Sequence, residues 1–175
     1  MFNTINMKPN LIIPFILLPI LTFGQLTHIN PTKIDSTQKE VLNVILELFD
    51  GMREGDSSKV HSVFRENPKL HTSFTNKDGK PILKKDDLQK FLNAVGTPHD
   101  KVWDEPIWNV QINIDGNLAN VWTDYAFYAG IDFSHCGVDA FMLNKDERGW
   151  KIFHLTDTRR RIDCDIPDEI KYNRE

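Results

Sequence analysis

Apolar and polar positions repeat with two different periods along this chain, and the change of period divides it. Between residues 37 and 52, Val41, Leu42, Ile45, Leu48, Phe49 and Met52 recur three and four apart, the pattern of a helix with one buried stripe. Thr37-Gln38-Lys39-Glu40 matches a capping box at its start, and Gly55 ends it. Asp56 predicts the cap of a shorter second helix carrying Val60, Val63 and Phe64, stopped by Asn67-Pro68. Leu70, Thr72 and Phe74 then alternate with Lys69, His71 and Ser73 as a short strand, with Lys77-Asp78-Gly79 as its turn. A third helix is expected over 86–95, with Leu88, Phe91, Leu92 and Val95 on one side.

From Pro106 onward the period is two. WNVQINI sets Trp108, Val110, Ile112 and Ile114 on one face, and Asp115-Gly116 predicts a two-residue hairpin turn. Further strands are expected over 117–129, 134–144 and 150–159. Helices first and a four-stranded antiparallel meander after them make an α+β layout, with the helices on one face of a curved sheet.

Hairpin geometry assigns faces. The first turn pairs Ile112 with Ala119, Val110 with Val121 and Trp108 with Thr123. The next pairs Phe127 with His135, Tyr125 with Gly137, Thr123 with Asp139, Val121 with Phe141 and Ala119 with Leu143; the last pairs Leu143 with Ile152. One end of this face is apolar. The other carries Trp108, Thr123, Tyr125, Phe127, His135 and Asp139. Polar groups ringed by aromatics at one end of an apolar wall predict a pocket, lined also by Phe141, because an unpaired buried Asp or His is costly. The competing reading is a structural network, in which Asp139 accepts from Thr123 or His135 and Tyr125 covers the bare backbone of Gly137.

The opposite face would expose Trp122, Val138, Ala140, Met142, Phe153 and Leu155. Either a second copy or the tail at 162–172 covers it. Strict alternation also puts Asp157 and Arg159 outside as a surface ion pair; a bulge near Thr156 would turn them inward and make Arg159 an anion clamp. Trp103 is expected to pack the third helix against the sheet rather than lid the cavity.

Composition narrows the classes. A chain of 175 residues suits one domain. Its first 24 residues hold one charge, Lys8, then the apolar run LIIPFILLPILTF, then small residues: the form of an export signal cleaved near Gly24, too short and too proline-broken for a stable membrane anchor. A polar leader at 25–35, the domain at 36–161 and a tail at 162–175 follow. The formal charge of −4, more negative without Lys8, excludes a nucleic-acid role, and Arg159-Arg160-Arg161 reads as a solvated strand end. Cys136 and Cys164 form a disulfide, remain free thiols, or include a catalytic thiol; the outward parity of Cys136 argues against the last. Spacing gives no metal site, and no cofactor is expected.

FDGMREGDSSKV, the KDGK turn, DGNLANVWTDYAFY, SHCGVDAFML and GWKIFHLTDTRR together resemble the nuclear transport factor 2-like superfamily, in its exported bacterial members. The likeness spans about 36–161. It implies a cone-shaped, cystatin-like roll: a bent, mainly antiparallel sheet around the first helix, a cavity at the wide end, and dimerisation through the sheet. The superfamily is similar to ketosteroid isomerases, polyketide cyclases and scytalone dehydratases as well as to ligand- and protein-binding members. It implies candidate catalytic roles for Asp139 and His135 as base and Tyr125 as donor. The expectation is a binder of a small apolar or aromatic molecule, acting in the periplasm or outside the cell, with a cofactor-independent lyase or isomerase and a protein-interaction module as alternatives.

Overall fold

The computed structural model describes residues 34–172. The export signal and most of the leader lie outside them. Among the described residues no helix is long and apolar enough to cross a membrane.

Helix α1 spans Ser36–Glu54 and buries Val41, Ile45, Leu48, Phe49 and Met52 along one stripe, each contributing about 2 kcal/mol by leaving water. Its capping box is Asp35 with Gln38, not Thr37 with Glu40: the Asp35 carboxylate accepts from the Gln38 N–H at 2.8 Å, and the Gln38 side chain accepts from the Asp35 N–H at 3.1 Å. The aspartate two residues upstream of Thr37 takes the Gln38 N–H first. Gly55 terminates α1 at φ 68°, a left-handed conformation that side chains resist. Asp56 caps α2 (Ser57–Ser62), accepting from Ser58 and Lys59.

The first strand is longer than alternation suggests. β1 runs Phe64–Thr75, passing through Asn67 at φ 53° with a break in register before Lys69. The hairpin turn then leads into β2 (Pro81–Asp86), an exposed edge strand whose PILKKD sequence carries no clean alternation. α3 (Leu88–Gly96) packs Leu92 and Val95 inward. β3 (Trp103–Asp104), β4 (Ile107–Asp115), β5 (Leu118–Ala129), β6 (Asp132–Asp146), β7 (Gly149–Thr158) and the short α4 (Asp168–Tyr172) complete the order.

The expected four-stranded meander is thus part of a seven-stranded sheet, ordered β2-β1-β7-β6-β5-β3, with β4 also on the β5 edge. Its pairs are antiparallel except β1 against β7, which run parallel. This gives an α+β, mainly antiparallel sheet with helices on its inner face, where Val41, Ile45, Leu48 and Phe49 meet Val121, Phe141, Leu143 and Ile152.

The β5–β6 register matches the hairpin prediction: Thr123 opposes Asp139, Tyr125 opposes Gly137, and Phe127 opposes His135. Two bulges change parity elsewhere. The β4–β5 turn falls at Gly116-Asn117, so Ile112 opposes Val121 rather than Ala119. Asn109 at φ 51° then sits in a register shift that turns Trp108 off the inner face and leaves Ile107 opposite Tyr125. In β7 the extra residue is Phe153, since Ile152 opposes Leu143 while His154 opposes Met142. Everything after it changes side. Leu155 therefore packs inside, correcting its place in the outer patch.

On the outer face, Cys136 and Cys164 form a disulfide. It ties the tail down so that Ile166 packs with Ala126, Tyr128 and Cys136, with Trp108 and Ile170 alongside. Trp122 remains 51% exposed, next to partly exposed Val138, Ala140 and Met142.

Candidate functional site

A cavity of about 390 Å³ opens on the inner face, between α1, α3 and the strands that follow. That is within the range of small-molecule sites. Phe49, Phe91, Trp103, Phe127 and Phe141 give it an aromatic wall; Tyr125, His135 and Asp139 line it with Glu105, Asp157 and Arg159.

Of the sequence-predicted residues, Tyr125, Phe127, His135, Asp139 and Phe141 meet at this cavity. Trp108 does not, because the Asn109 bulge sends it to the outer cluster under the tail. Thr123 is fully buried but donates to the Trp108 carbonyl at 2.8 Å, holding the bulge rather than facing the cavity. Trp103 lines the cavity and meets Phe127 edge-on at 5.7 Å, so it forms wall as well as packing.

Tyr125 and Gly137 explain each other. A Cβ on Gly137 would lie 1.8 Å from the Thr158 carbonyl oxygen and 2.8 Å from the Tyr125 ring. Glycine lets the end of β7 come down on β6, and there the Thr158 carbonyl accepts the Tyr125 hydroxyl at 2.8 Å. The Asp157 carboxylate lies 3.3 Å from the same hydroxyl. A phenol has one proton to give, so Tyr125 is not a free donor for a developing oxyanion. Burial, then the surrounding carboxylates, raise its pKa further.

Asp157 and Arg159 are inside. The Phe153 bulge supplies the inversion expected of one near Thr156. Asp157 accepts from Thr72 at 2.7 Å and from Arg159 at 2.5 Å. Burial works against the Arg159 charge, yet Asp157 outweighs it and the guanidinium is held more firmly protonated.

Asp139 is the unusual member. It is 3% exposed, and its Oδ2 finds no hydrogen-bond donor among the described residues. The group beside it is another carboxyl, Glu105, within hydrogen-bonding reach. Two carboxyls bond to each other only when one carries a proton. Burial first, then repulsion from Glu105 and Asp157, pushes Asp139 well above the usual carboxylate range. Burial and the Asp157 charge push Glu105 up to about 8. Glu105 keeps some solvent access as a residue, so Asp139 is the more strongly confined partner. Both carboxyls are thus pushed toward their protonated forms at neutral pH, where a solvated carboxyl is ionised.

Glu105 was missed because its segment reads as a linker. Its placement follows from local geometry: β3 and β4 both pair along the same edge of β5, and only Glu105 and Pro106 separate them. Pro106 has no N–H to extend the ladder, but its carbonyl accepts from Ala126 at 3.2 Å, which keeps the chain against β5. Trp103, Glu105 and Ile107 therefore alternate inward, and that W-x-E-x-I spacing was the available signal.

His135 stacks at 5.3 Å on Phe127 and meets Tyr125 edge-on at 5.7 Å, with Nδ1 3.0 Å from the Ser134 hydroxyl. Burial, and then Arg159, lower its pKa to about 4. It is a neutral imidazole under ordinary conditions.

No protein-family model matches the sequence, and neither does any curated relative. Solved structures do match. An NTF2-like protein of unknown function from Shewanella baltica is 17% identical, with a TM-score of 0.54 over 74% of this chain and 99% of its own. A protein with a cystatin-like fold from Nostoc punctiforme is 11% identical, TM-score 0.57, over 74% and 96%. A candidate scytalone dehydratase from Novosphingobium aromaticivorans is 13% identical, TM-score 0.55, over 70% and 83%. At these identities the likeness speaks to architecture. The chain has the NTF2-like, cystatin-like fold, as its sequence resemblance implied.

Proposed function

We propose that the protein binds a small, largely apolar molecule in this cavity, and does so outside the cytoplasm after losing its leading segment. The observation that carries the reading is the cavity of about 390 Å³ with an aromatic wall on one side and hydrogen-bonding groups on the other. A packed structural network would leave no such space. Phe127 and Phe141 hold the apolar body of the ligand, and Asp139, His135 and Glu105 orient its polar part. The Cys136–Cys164 disulfide suits an oxidising compartment. Native mass spectrometry of protein purified from the exported fraction of its own cells tests this: a retained small molecule is expected, and protein that is cytosolic or consistently empty contradicts it.

One observation favours a second reading, a cofactor-independent lyase or isomerase. A carboxyl whose proton leaves at about pH 8, as that of Glu105 does, is suited to general acid–base work, worth about 10²–10⁴-fold. On that reading Glu105 and Asp139 move the proton, His135 is a neutral hydrogen-bonding group, and Tyr125, committed to the Thr158 carbonyl, does not donate to substrate.

A second copy is the proposed cover for the outer face around Trp122, because the tail reaches only the Tyr128 end. Trp122→Arg then yields monomers in analytical ultracentrifugation; an unchanged sedimentation coefficient refutes the dimer.

A further inference from the structure

Building on the ligand-binding reading, we propose that the cavity selects a small organic cation: an apolar amine in its protonated form, its ammonium seated at Glu105 and Asp139 and its body against the aromatic wall.

The hydrogen-bond inventory points there. Around the polar end of the cavity several donors are already committed. The Tyr125 hydroxyl goes to the Thr158 carbonyl, the Thr72 hydroxyl to Asp157, and the Arg159 Nε to Asp157. Asp139 faces the cavity, is 3% exposed, and is left with an oxygen that no donor of the described residues reaches. Its neighbour Glu105 satisfies it only by carrying a proton. An external ammonium supplies three donors, so one group can serve both carboxyls in their ionised forms.

Charge agrees with this. Three carboxyls (Glu105, Asp139 and Asp157) share the polar end with one guanidinium, Arg159, which Asp157 neutralises. Lys84 at the mouth is paired with Asp86, while Lys90 lies across the cavity on α3. Tyr125 and the neutral His135 add no positive charge, and His71 and Asp87 also line the cavity. A buried carboxylate without a partner is costly, and a cation that arrives with its own donors removes that cost. Among the described residues no group of three or more potential ligands is placed to hold a metal ion, and the aromatic wall of Phe49, Phe91, Trp103 and Phe127 suits the apolar body of an organic cation.

Three probes with one indole body and different charge test the assignment by isothermal titration calorimetry on the exported protein at neutral pH: tryptamine, its alcohol tryptophol, and indole-3-acetate. Tryptamine is expected to bind about tenfold or more tighter than tryptophol, with indole-3-acetate weakest. Glu105→Gln is expected to remove most of the advantage of tryptamine over tryptophol. Equal affinity for amine and alcohol overturns the proposal, as does tightest binding of the acid, which would hand the site to Arg159. If tryptophol binds and tryptamine does not, the cation assignment falls while the cavity reading stands. If none of the three binds, the cation assignment falls, and a cavity also empty by native mass spectrometry takes the binding reading with it.

Discussion

The two ends of the inner sheet face are built from the same strands and solve opposite problems. At one end, Ala119, Val121, Phe141, Leu143 and Ile152 are essentially inaccessible to solvent and close against the α1 stripe. Their stability comes from apolar area and tight packing, and no side chain there needs a particular partner. At the other end, strands β5, β6 and β7 carry Tyr125, Gly137, Asp139 and Asp157, and space remains between them and the helices. Order there depends on specific bonds: Tyr125 to Thr158, Thr72 and Arg159 to Asp157. One carboxyl, Asp139, is left outside that set. Among the described residues His71 Nδ1, at the same cavity, is the other buried polar atom there without a hydrogen-bond partner.

The contrast can be broken by mutation. Phe141→Ala, at the boundary of the closed end, should cost about 3–5 kcal/mol in urea unfolding; a cost below about 1 kcal/mol would mean that end is not tightly packed. Gly137→Ala attacks the polar end through the backbone. With a Cβ 1.8 Å from the Thr158 oxygen, β7 must lift off β6, and a loss of about 3 kcal/mol or more is expected. Wild-type stability would contradict the close approach.

The smallest effect is a pH slope. Because Glu105 and Asp139 titrate higher when folded, the native state holds more protons than the unfolded chain between about pH 4, the ordinary carboxylate range, and about pH 8. Their contribution to stability is complete below that window and falls as pH rises through it, by at most about 1.4 kcal/mol per pH unit for each group. The double variant Glu105→Gln/Asp139→Asn should flatten the stability–pH curve relative to wild type across this window. Parallel curves would show that the two carboxyls ionise normally.

Sequence periodicity reached part of this and stopped for identifiable reasons. The α1 stripe, the Asp56 cap and the β5–β6 pairs were readable because helix and hairpin periods run there without interruption. Period two fails after a bulge, since one inserted residue exchanges the faces. Asn109 thereby displaced Trp108, and Phe153 displaced Leu155, Asp157 and Arg159. The second was foreseeable only as a possibility, since nothing in FHLTDTR marks the extra residue. β2 was missed because an exposed edge strand has no buried face to impose alternation, and the parallel β1–β7 pairing because no short turn announces it. Glu105, the partner that gives Asp139 its character, sits in a two-residue break between strands, where the alternation of Trp103, Glu105 and Ile107 is too brief to stand out.

Carboxyl-carbon NMR titration of the free protein, with Glu105 and Asp139 assigned through the single variants, tests the site most directly. Glu105 should lose its proton near pH 8, and Asp139 should titrate well above the ordinary carboxylate range. Both signals shifting together near pH 4, as for solvated side chains, would mean there is no desolvated acid pair, and no reason to place the chemistry of this protein at that end of its sheet.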